Sequence, residues 1–361
     1  MAPTGLVGRH MGGARALSIA LLAILFTSSV AFSIRAPLPS LAHTLSPSSA
    51  APPLCAAPRA VARVHRSGLG RVQCSAWDSG MKSVKEEMSF DVDESVVQGT
   101  VPTNIAGTLY TNGPGLFEFG TNKVDSKVDG DGIVCGFSFA GDGTCKVRSR
   151  FVRTEGYMKE QKALELGYEG DAVFKSRAGK GTVLGQAAGF NQIDDVKSTA
   201  NSGVFFAGGR LLAVDDCFLP HEIDPAGLYT VGATRIRDSL PKRGPLLVPK
   251  YDPAEKRVVG LSCKTLVRPS YVSRTWLLEW DEEWKQVSIA KDNIPQFRRL
   301  TDFGFTRTDY VLMECPLKVN WVAYAAGGKS VREVCELERE GRTKITLVPR
   351  KGGGGPVVFE G

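Results

Sequence analysis

The chain has 361 residues, 42% of them hydrophobic, 8% aromatic and 23% charged, with 40 glycines and 20 prolines. Such composition is globular and excludes a collagen-like, coiled-coil, wholly disordered or polytopic membrane protein. A formal charge of +7 points toward a polyanion until it is located: residues 1–77 hold seven arginines, no lysine and no acid, and removing those seven from the 45 basic residues leaves 38 against 38 acids. The body is neutral, and a nucleic-acid partner loses its support.

In chain order, the first feature is an address. Arg9 and Arg15 precede an apolar run over residues 16–26 (ALSIALLAILF), and small residues follow at Ser28, Ser29, Val30 and Ala31. This is the layout of a signal peptide, 1–31, cut after Ala31. The run is short for a membrane span, so no transmembrane helix is expected in the mature protein. Residues 32–85, rich in Ser, Pro, Ala and Arg, read as a disordered transit-peptide-like leader with too little apolar content to build a core. Two signals in series, with Phe32 at the cut, resemble the bipartite leader of algae with complex plastids, which implies a plastid location; an ordinary secreted protein is the alternative.

Residues 86–361 form the predicted globular body. Short β-branched or aromatic runs alternate with Gly, Asp and Pro: residues 107–110, 133–139, 145–152, 203–206, 210–214, 272–280, 309–313 and 343–348. Tight hairpins are predicted at Ala140-Gly-Asp-Gly143 and Ala207-Gly-Gly209. Residues 158–182, polar and Gly-containing, read as loop. Residues 329–340 place Val331, Val334 and Leu337 near one helical face and end at Gly341, which predicts a helix. No strand is evident after the glycine run at 352–355. The pattern predicts an all-β propeller or large sandwich. Six cysteines in the body (Cys135, Cys145, Cys217, Cys263, Cys315, Cys335) lack metal or disulfide spacing and read as core residues. Asp129-Gly-Asp-Gly132 has no acid at the twelfth position of a calcium loop, where Ala140 stands, and reads as a turn. His10, His43 and His65 lie in the leader, so His221 is the body's one imidazole.

A series of motifs in order carries a resemblance: Val97-Gln-Gly-Thr-Val-Pro102, Gly107-Thr-Leu-Tyr-Thr-Asn-Gly-Pro-Gly-Leu-Phe-Glu118, Asp129-Gly-Asp-Gly132, Arg150-Phe-Val-Arg-Thr-Glu155, Gly208-Gly-Arg-Leu-Leu-Ala213, Asp224-Pro225, Pro249-Lys250 with Asp252-Pro253, and Asp302-Phe303 ahead of Tyr310. From about Val96 to Gly355 the sequence resembles the carotenoid oxygenase family, the carotenoid cleavage dioxygenases. The resemblance implies a seven-bladed β-propeller, incomplete in this chain with C-terminal blades missing. It implies Fe(II) on the propeller axis held by four histidines, and O2-dependent cleavage of a C=C bond in a carotenoid or apocarotenoid to carbonyl products. Peripheral contact with a membrane surface, from which such substrates are drawn, is implied too.

Carried over residue by residue, the resemblance meets a departure. The family's first iron ligand opens a His-Pro-Lys run, and here Val248 precedes Pro249-Lys250. The second opens His-Asp-Phe, and here Thr301 precedes Asp302-Phe303. The third and fourth belong to blades beyond Gly361. A valine has no lone pair, and a neutral threonine hydroxyl is a poor Fe(II) ligand beside imidazole. Asp216 falls where the family has a Glu that orients a ligating His, and Asp302 follows a missing ligand; both are candidates for an outer-shell role. His221, near a rim turn, is not expected to rescue the site. Phe117, Phe119, Phe205, Phe206, Trp276, Trp280 and Phe303 are aromatic candidates for a tunnel wall or for packing between blades, and no single one is assigned to substrate. The expectation is no catalytic residue, no bound iron and no turnover in this chain. The alternatives are a non-catalytic carotenoid or apocarotenoid binder and a truncated fragment.

Overall fold

The computed structural model describes residues 30–34, 82–120, 122–124, 129–168, 197–242, 244–266, 272–291, 302–320, 323, 334–352 and 354–361. They form four antiparallel sheets in succession, with two small ribbons and one α-helix.

The first sheet contains β1 (Val30–Ile34), β2 (Met88–Asp91), β3 (Ala106–Leu116), β6 (Asp131–Ala140) and β7 (Cys145–Phe151), in the order β1-β3-β6-β7-β2; β4 (Glu118–Phe119) and β5 (Asn122–Lys123) make a separate ribbon. Three residues of β1, Phe32, Ser33 and Ile34, lie beyond the expected cleavage point and pair with Leu109, Thr108 and Gly107. Helix α1 (Glu155–Glu165) follows. The second sheet runs β11-β10-β9-β8, from β8 (Gly203–Ala207), β9 (Arg210–Val214), β10 (His221–Ile223) and β11 (Thr230–Ala233). The third runs in chain order: β12 (Leu247–Asp252), β13 (Arg257–Leu266), β14 (Val272–Trp280), β15 (Gln286–Ala290). In the fourth, β16 (Phe303–Phe305) and β17 (Asp309–Glu314) are followed, after the ribbon β18 (Leu317–Val319) and β19 (Cys335–Leu337), by β20 (Lys344–Pro349) and β21 (Val357–Glu360).

Strand periodicity explains why the sheets stack face to face. Successive side chains point to opposite faces, so a strand buried on both sides reads as an unbroken apolar run. Leu211 and Ala213 of β9 join Tyr110, Val134 and Val204 in the core between the first two sheets, while Leu212 and Val214 join Val258, Leu278, Trp280 and Trp284 between the second and third. The neighbours Val259 and Leu277 turn the other way, into the core shared with Phe303, Tyr310, Leu312 and Val348 of the fourth sheet. Each Val, Leu or Phe among them, withdrawn from water, contributes about 1.5–3 kcal/mol. The two buried indoles keep their N–H groups bonded, Trp280 to Ser239 Oγ at 2.8 Å and Trp284 to the Ala207 carbonyl at 3.0 Å. Phe205, Trp280 and Phe303 thus pack between sheets, as does half-buried Phe206 against Tyr110.

Both predicted hairpins form. Gly208 and Gly209 adopt φ of 52° and 74° between β8 and β9, the backbone a two-residue hairpin demands. A Cβ on Gly208 would also stand 2.0 Å from the Glu282 carbonyl oxygen, so the second and third sheets approach through the missing side chain. Gly132 is comparable: its N–H donates to the Thr199 carbonyl at 2.8 Å, and a Cβ would meet Ala200 O at 2.4 Å.

Several expectations need correction. Residues 155–165, partly assigned to a loop, are helical. Thr154 caps the helix by accepting the Tyr157 N–H at 3.2 Å, and the Tyr168 N–H reaches back to the Ala163 carbonyl across Gly167 at φ 76°, a glycine-terminated C-cap. The apolar stripe is too thin to read, since the helix buries Ala163 beside a charged residue, Glu160. The predicted helix over 329–340 fails where it is described: Cys335–Leu337 is a strand paired with Leu317–Val319, and Leu337, expected on the buried face, is exposed. Residues 329–333 lie outside the described residues. Val357–Glu360, where no strand was evident, pairs with β20. The six body cysteines, expected in the core, are only half-buried.

Candidate active site

Of the inner strands, β8 lies between β3 and β12, which places β3, β8 and β12 side by side where the first three sheets converge. Val248 stands in β12, at the point where pairing with β13 shifts register between Leu247 and Lys250. Pro249 has no N–H to give to a ladder, and an edge strand with a bulge tolerates it. Thr301 lies outside the described residues. Its neighbour Asp302 accepts the Phe303 N–H at 2.8 Å and meets the Lys250 ammonium at 2.9 Å, while that ammonium sits 5.5 Å from the Phe303 ring centroid. The two motif segments, in which Val248 and Thr301 take the ligand positions, therefore touch through Lys250 and Asp302. Both side chains are substantially exposed, so the pair contributes no more than about 1 kcal/mol.

Asp216, the other outer-shell candidate, is half-buried after β9, and its backbone N–H donates to Ser202 Oγ at 3.3 Å. No sequence signal points to the adjacent Asp215. It is fully buried, and its Oδ2 accepts from Ser198 Oγ at 3.1 Å, Thr199 N at 3.0 Å and Ala200 N at 2.9 Å, with Oδ1 accepting from Cys217 N at 2.8 Å. The segment it holds is bonded in turn to the first sheet: Asn112 Nδ2 donates to the carbonyls of Ala200 and Gly203, each at 2.8 Å. Asp215 is thus a backbone clamp between two sheets.

His221 opens β10, two strands out from β8, and pairs with Ala213 and Ala233 on either side. It is buried with Nδ1 unbonded, and burial pushes its pKa below the ordinary histidine range against the opposing charge of Asp215. Its place in the second sheet separates it from the motif pair around Lys250 and Asp302.

Other motif residues resolve into a buried polar network between the third and fourth sheets. Glu279 Oε1 accepts from Tyr310 Oη at 2.8 Å and Arg350 Nε at 2.9 Å, and its Oε2 from Arg257 Nη1 at 2.9 Å. Arg350 Nη1 donates to Asp252 Oδ2 and to the Thr306 carbonyl, each at 2.8 Å. Burial and the Glu279 charge push the Tyr310 hydroxyl well up, so it remains a donor. Asp252 and Tyr310 belong to this packing device.

These residues do not fit a four-imidazole iron centre. Val248 offers hydrocarbon where the first ligand is expected, His221 sits on β10, and among the described residues no group of three or more His, Cys, Asp and Glu is placed to hold a metal ion.

A family model described as Retinal pigment epithelial membrane protein matches residues 81–360. Apocarotenoid-15,15'-oxygenase of Synechocystis is 33% identical over 282 residues, covering 77% of this chain and 55% of that protein. Carotenoid cleavage dioxygenase 7, chloroplastic, of Oryza sativa subsp. japonica is 25% identical over 322 residues, covering 76% of this chain and 52% of that protein. A solved structure of Synechocystis apocarotenoid oxygenase superposes with a TM-score of 0.69 at 30% identity, covering 79% of this chain and 58% of that one. A cobalt-substituted form of the Synechocystis protein superposes with a TM-score of 0.67 at 31% identity. The chain spans about half the length of the curated relatives it matches.

Proposed function

The chain belongs to the carotenoid oxygenase family, matched over residues 81–360, and on that premise we propose that it binds a carotenoid or apocarotenoid without cleaving it. The family's architecture is a β-propeller, of which four blades are described in this chain. What supports a non-catalytic role is one observation: Val248 stands in the bulge of β12 where the family motif places an imidazole, with Thr301 at the second such position. A metal in this family supplies O2 activation, and its relatives include a cobalt-substituted structure. Val248 and Thr301 would remain without a good donor whatever sequence lies beyond Gly361.

The chain's own residues keep the setting of the site. Lys250 and Asp302 hold the two motif segments together, Asp215 clamps the segment leading into β8, and the buried Glu279 network fixes the third sheet against the fourth. That scaffold, with the names of its relatives, supports a retained polyene ligand. We extend the proposal to the leader, whose two signals address the protein to a plastid.

The reading is tested by titrating the purified chain with an apocarotenal and with β-carotene under air. The expected result is a saturable shift of the polyene absorbance with no loss of its integrated intensity. Oxygen-dependent bleaching with carbonyl products would overturn the proposal. A preparation that binds 8-anilinonaphthalene-sulfonate and lacks near-UV circular dichroism would favour a fragment that does not fold by itself.

A further inference from the structure

In the stack of sheets every junction joins a forward-looking face to a backward-looking one. Leu211 and Ala213 of β9 look back to the first sheet and Leu212 and Val214 forward to the third, while Val258 of β13 looks back and Val259 forward. In the fourth sheet Tyr310, Leu312 and Val348 look back into the shared core. Strand register places the alternate residues on its forward face in two cross-strand rows, one of Val311, Leu347 and Val357, the other of Met313, Ile345 and Phe359. Met313, Ile345, Val357 and Phe359 are exposed.

The other end of the stack carries a matching surface. In the first sheet Tyr110 and Val134 look forward, so the row of Leu109, Phe137, Val147 and Phe90 looks back, flanked by Met88 and Phe139. Tyr157 of α1 stacks on Phe151 at one end of this face, with ring centroids 5.6 Å apart. Beyond it Phe137, Phe139 and Val147 are half-buried, and Met88 and Phe90 are exposed. Neither set of six contains an ionisable side chain. Contiguous apolar surface of this kind marks an interaction site, and depletion of charge is the mark of an interface centre.

We propose that the occupant of both faces is a second copy of this chain, the forward face of each fourth sheet packing on the backward face of its partner's first sheet, so that two copies close a ring of eight sheets. Such a contact unites the same two kinds of face as the internal junctions. It is heterologous, so it either propagates or closes, and with four sheets per copy two copies reach the upper end of the roughly four to eight blades at which propellers close. Area selects two contacts over one. Three strands about 4.8 Å apart, six residues long at about 3.4 Å each, give the fourth sheet a free face of about 300 Å². One contact then buries about 600 Å² over both partners, short of the roughly 1,000 Å² a specific interface needs, whereas the closed pair buries about 1,200 Å². The proposal holds whether or not the ring encloses a polyene.

Light scattering and sedimentation equilibrium of the full chain, over about a hundredfold range of concentration, test the ring. The expected species is two chains, with no larger series. Phe90→Lys on the first sheet and Phe359→Lys on the fourth are each expected to raise the dissociation constant at least about a hundredfold, because each puts a charge into both contacts and a tenfold loss at each multiplies. Val231→Lys, on the exposed edge strand β11 of the second sheet, is expected to remain two chains. Near-UV circular dichroism reports folding of each variant; if a lysine disturbs it, Phe90→Ser and Phe359→Ser carry the same expectation in direction. A single chain at every concentration, an open series of larger assemblies, or Phe90→Lys remaining two chains, as a contact between fourth sheets alone would give, would overturn the proposal.

Discussion

Replacing Arg350 with methionine tests the energetics of the junction between the third and fourth sheets. The arginine side chain is 3% exposed and bonds Glu279, Asp252 and the Thr306 carbonyl; Glu279 and Asp252 are themselves 2% and 8% exposed. Methionine keeps most of the stem's volume, so the cavity contribution is small, and the loss is that of a buried cation from two acids. Glu279 keeps Arg257 and Tyr310, but Asp252 loses its cation. Breaking a buried pair by removing one partner costs about 3–5 kcal/mol, against a total stability of about 5–15 kcal/mol for a folded domain. The pH dependence has a definite sign. Burial alone would raise Asp252 and Glu279, yet the hydrogen bonds from Arg350 bring both below the ordinary carboxylate range. Their stabilisation in the native chain is therefore present above about pH 4 and lost as pH falls through the depressed folded values. Without Arg350 only the Ala254 and Glu255 N–H groups oppose burial at Asp252, so its pKa rises relative to the native chain and protonation favours the variant. Urea unfolding should show a deficit of about 3–5 kcal/mol near pH 7, narrowing near pH 4. A deficit below about 1 kcal/mol at pH 7, or one that widens in acid, would refute the reasoning.

Gly208→Ala is expected to cost more than the roughly 1 kcal/mol of an unfavourable positive φ, because the new Cβ meets the Glu282 carbonyl; the thermal midpoint should drop by several degrees, while Gly209→Asn, at φ 74° with open space around it, should be nearly neutral. His221, held below its ordinary pKa by burial, binds fewer protons folded than unfolded, so it contributes stability above about pH 6.5 that is lost as pH falls below that value. His221→Asn should flatten the stability profile between about pH 6.5 and about pH 5; a native profile already flat there would contradict the assignment. Thr154→Ala should lower protection of the α1 amides by about 1 kcal/mol, the value of an N-cap, with no change in β13 and β14.

Much of the sheet architecture was legible because its signals are local. Val272–Trp280 and Arg210–Val214 form strands with the expected bounds, and the Gly208-Gly209 turn between its flanking runs fixed one hairpin. What escaped reading depended on distant partners. Glu160 looks like a solvated helix residue until Lys197 is beside it, and the helix that carries it shows no broad apolar stripe. Residues 334–337 carry helix-compatible spacing, but pairing with β18 overrides it. Val357–Glu360 follows a glycine run that hides a strand formed only on the edge of β20. At the candidate site, the motifs around Val248 and Asp302 could be placed in sequence, whereas the Lys250–Asp302 contact and the clamp by Asp215 required the fold. Asp215 and Asp216 are indistinguishable in sequence; one is enclosed by the 198–200 backbone, the other is half-buried beside it.

The most direct test of the account is the metal content of the full chain, purified after expression in iron-replete medium and measured by mass spectrometry alongside the ferrous–nitrosyl electron paramagnetic resonance signal. The account predicts far less than one iron per chain and no such signal. Stoichiometric ferrous iron giving that signal would contradict it.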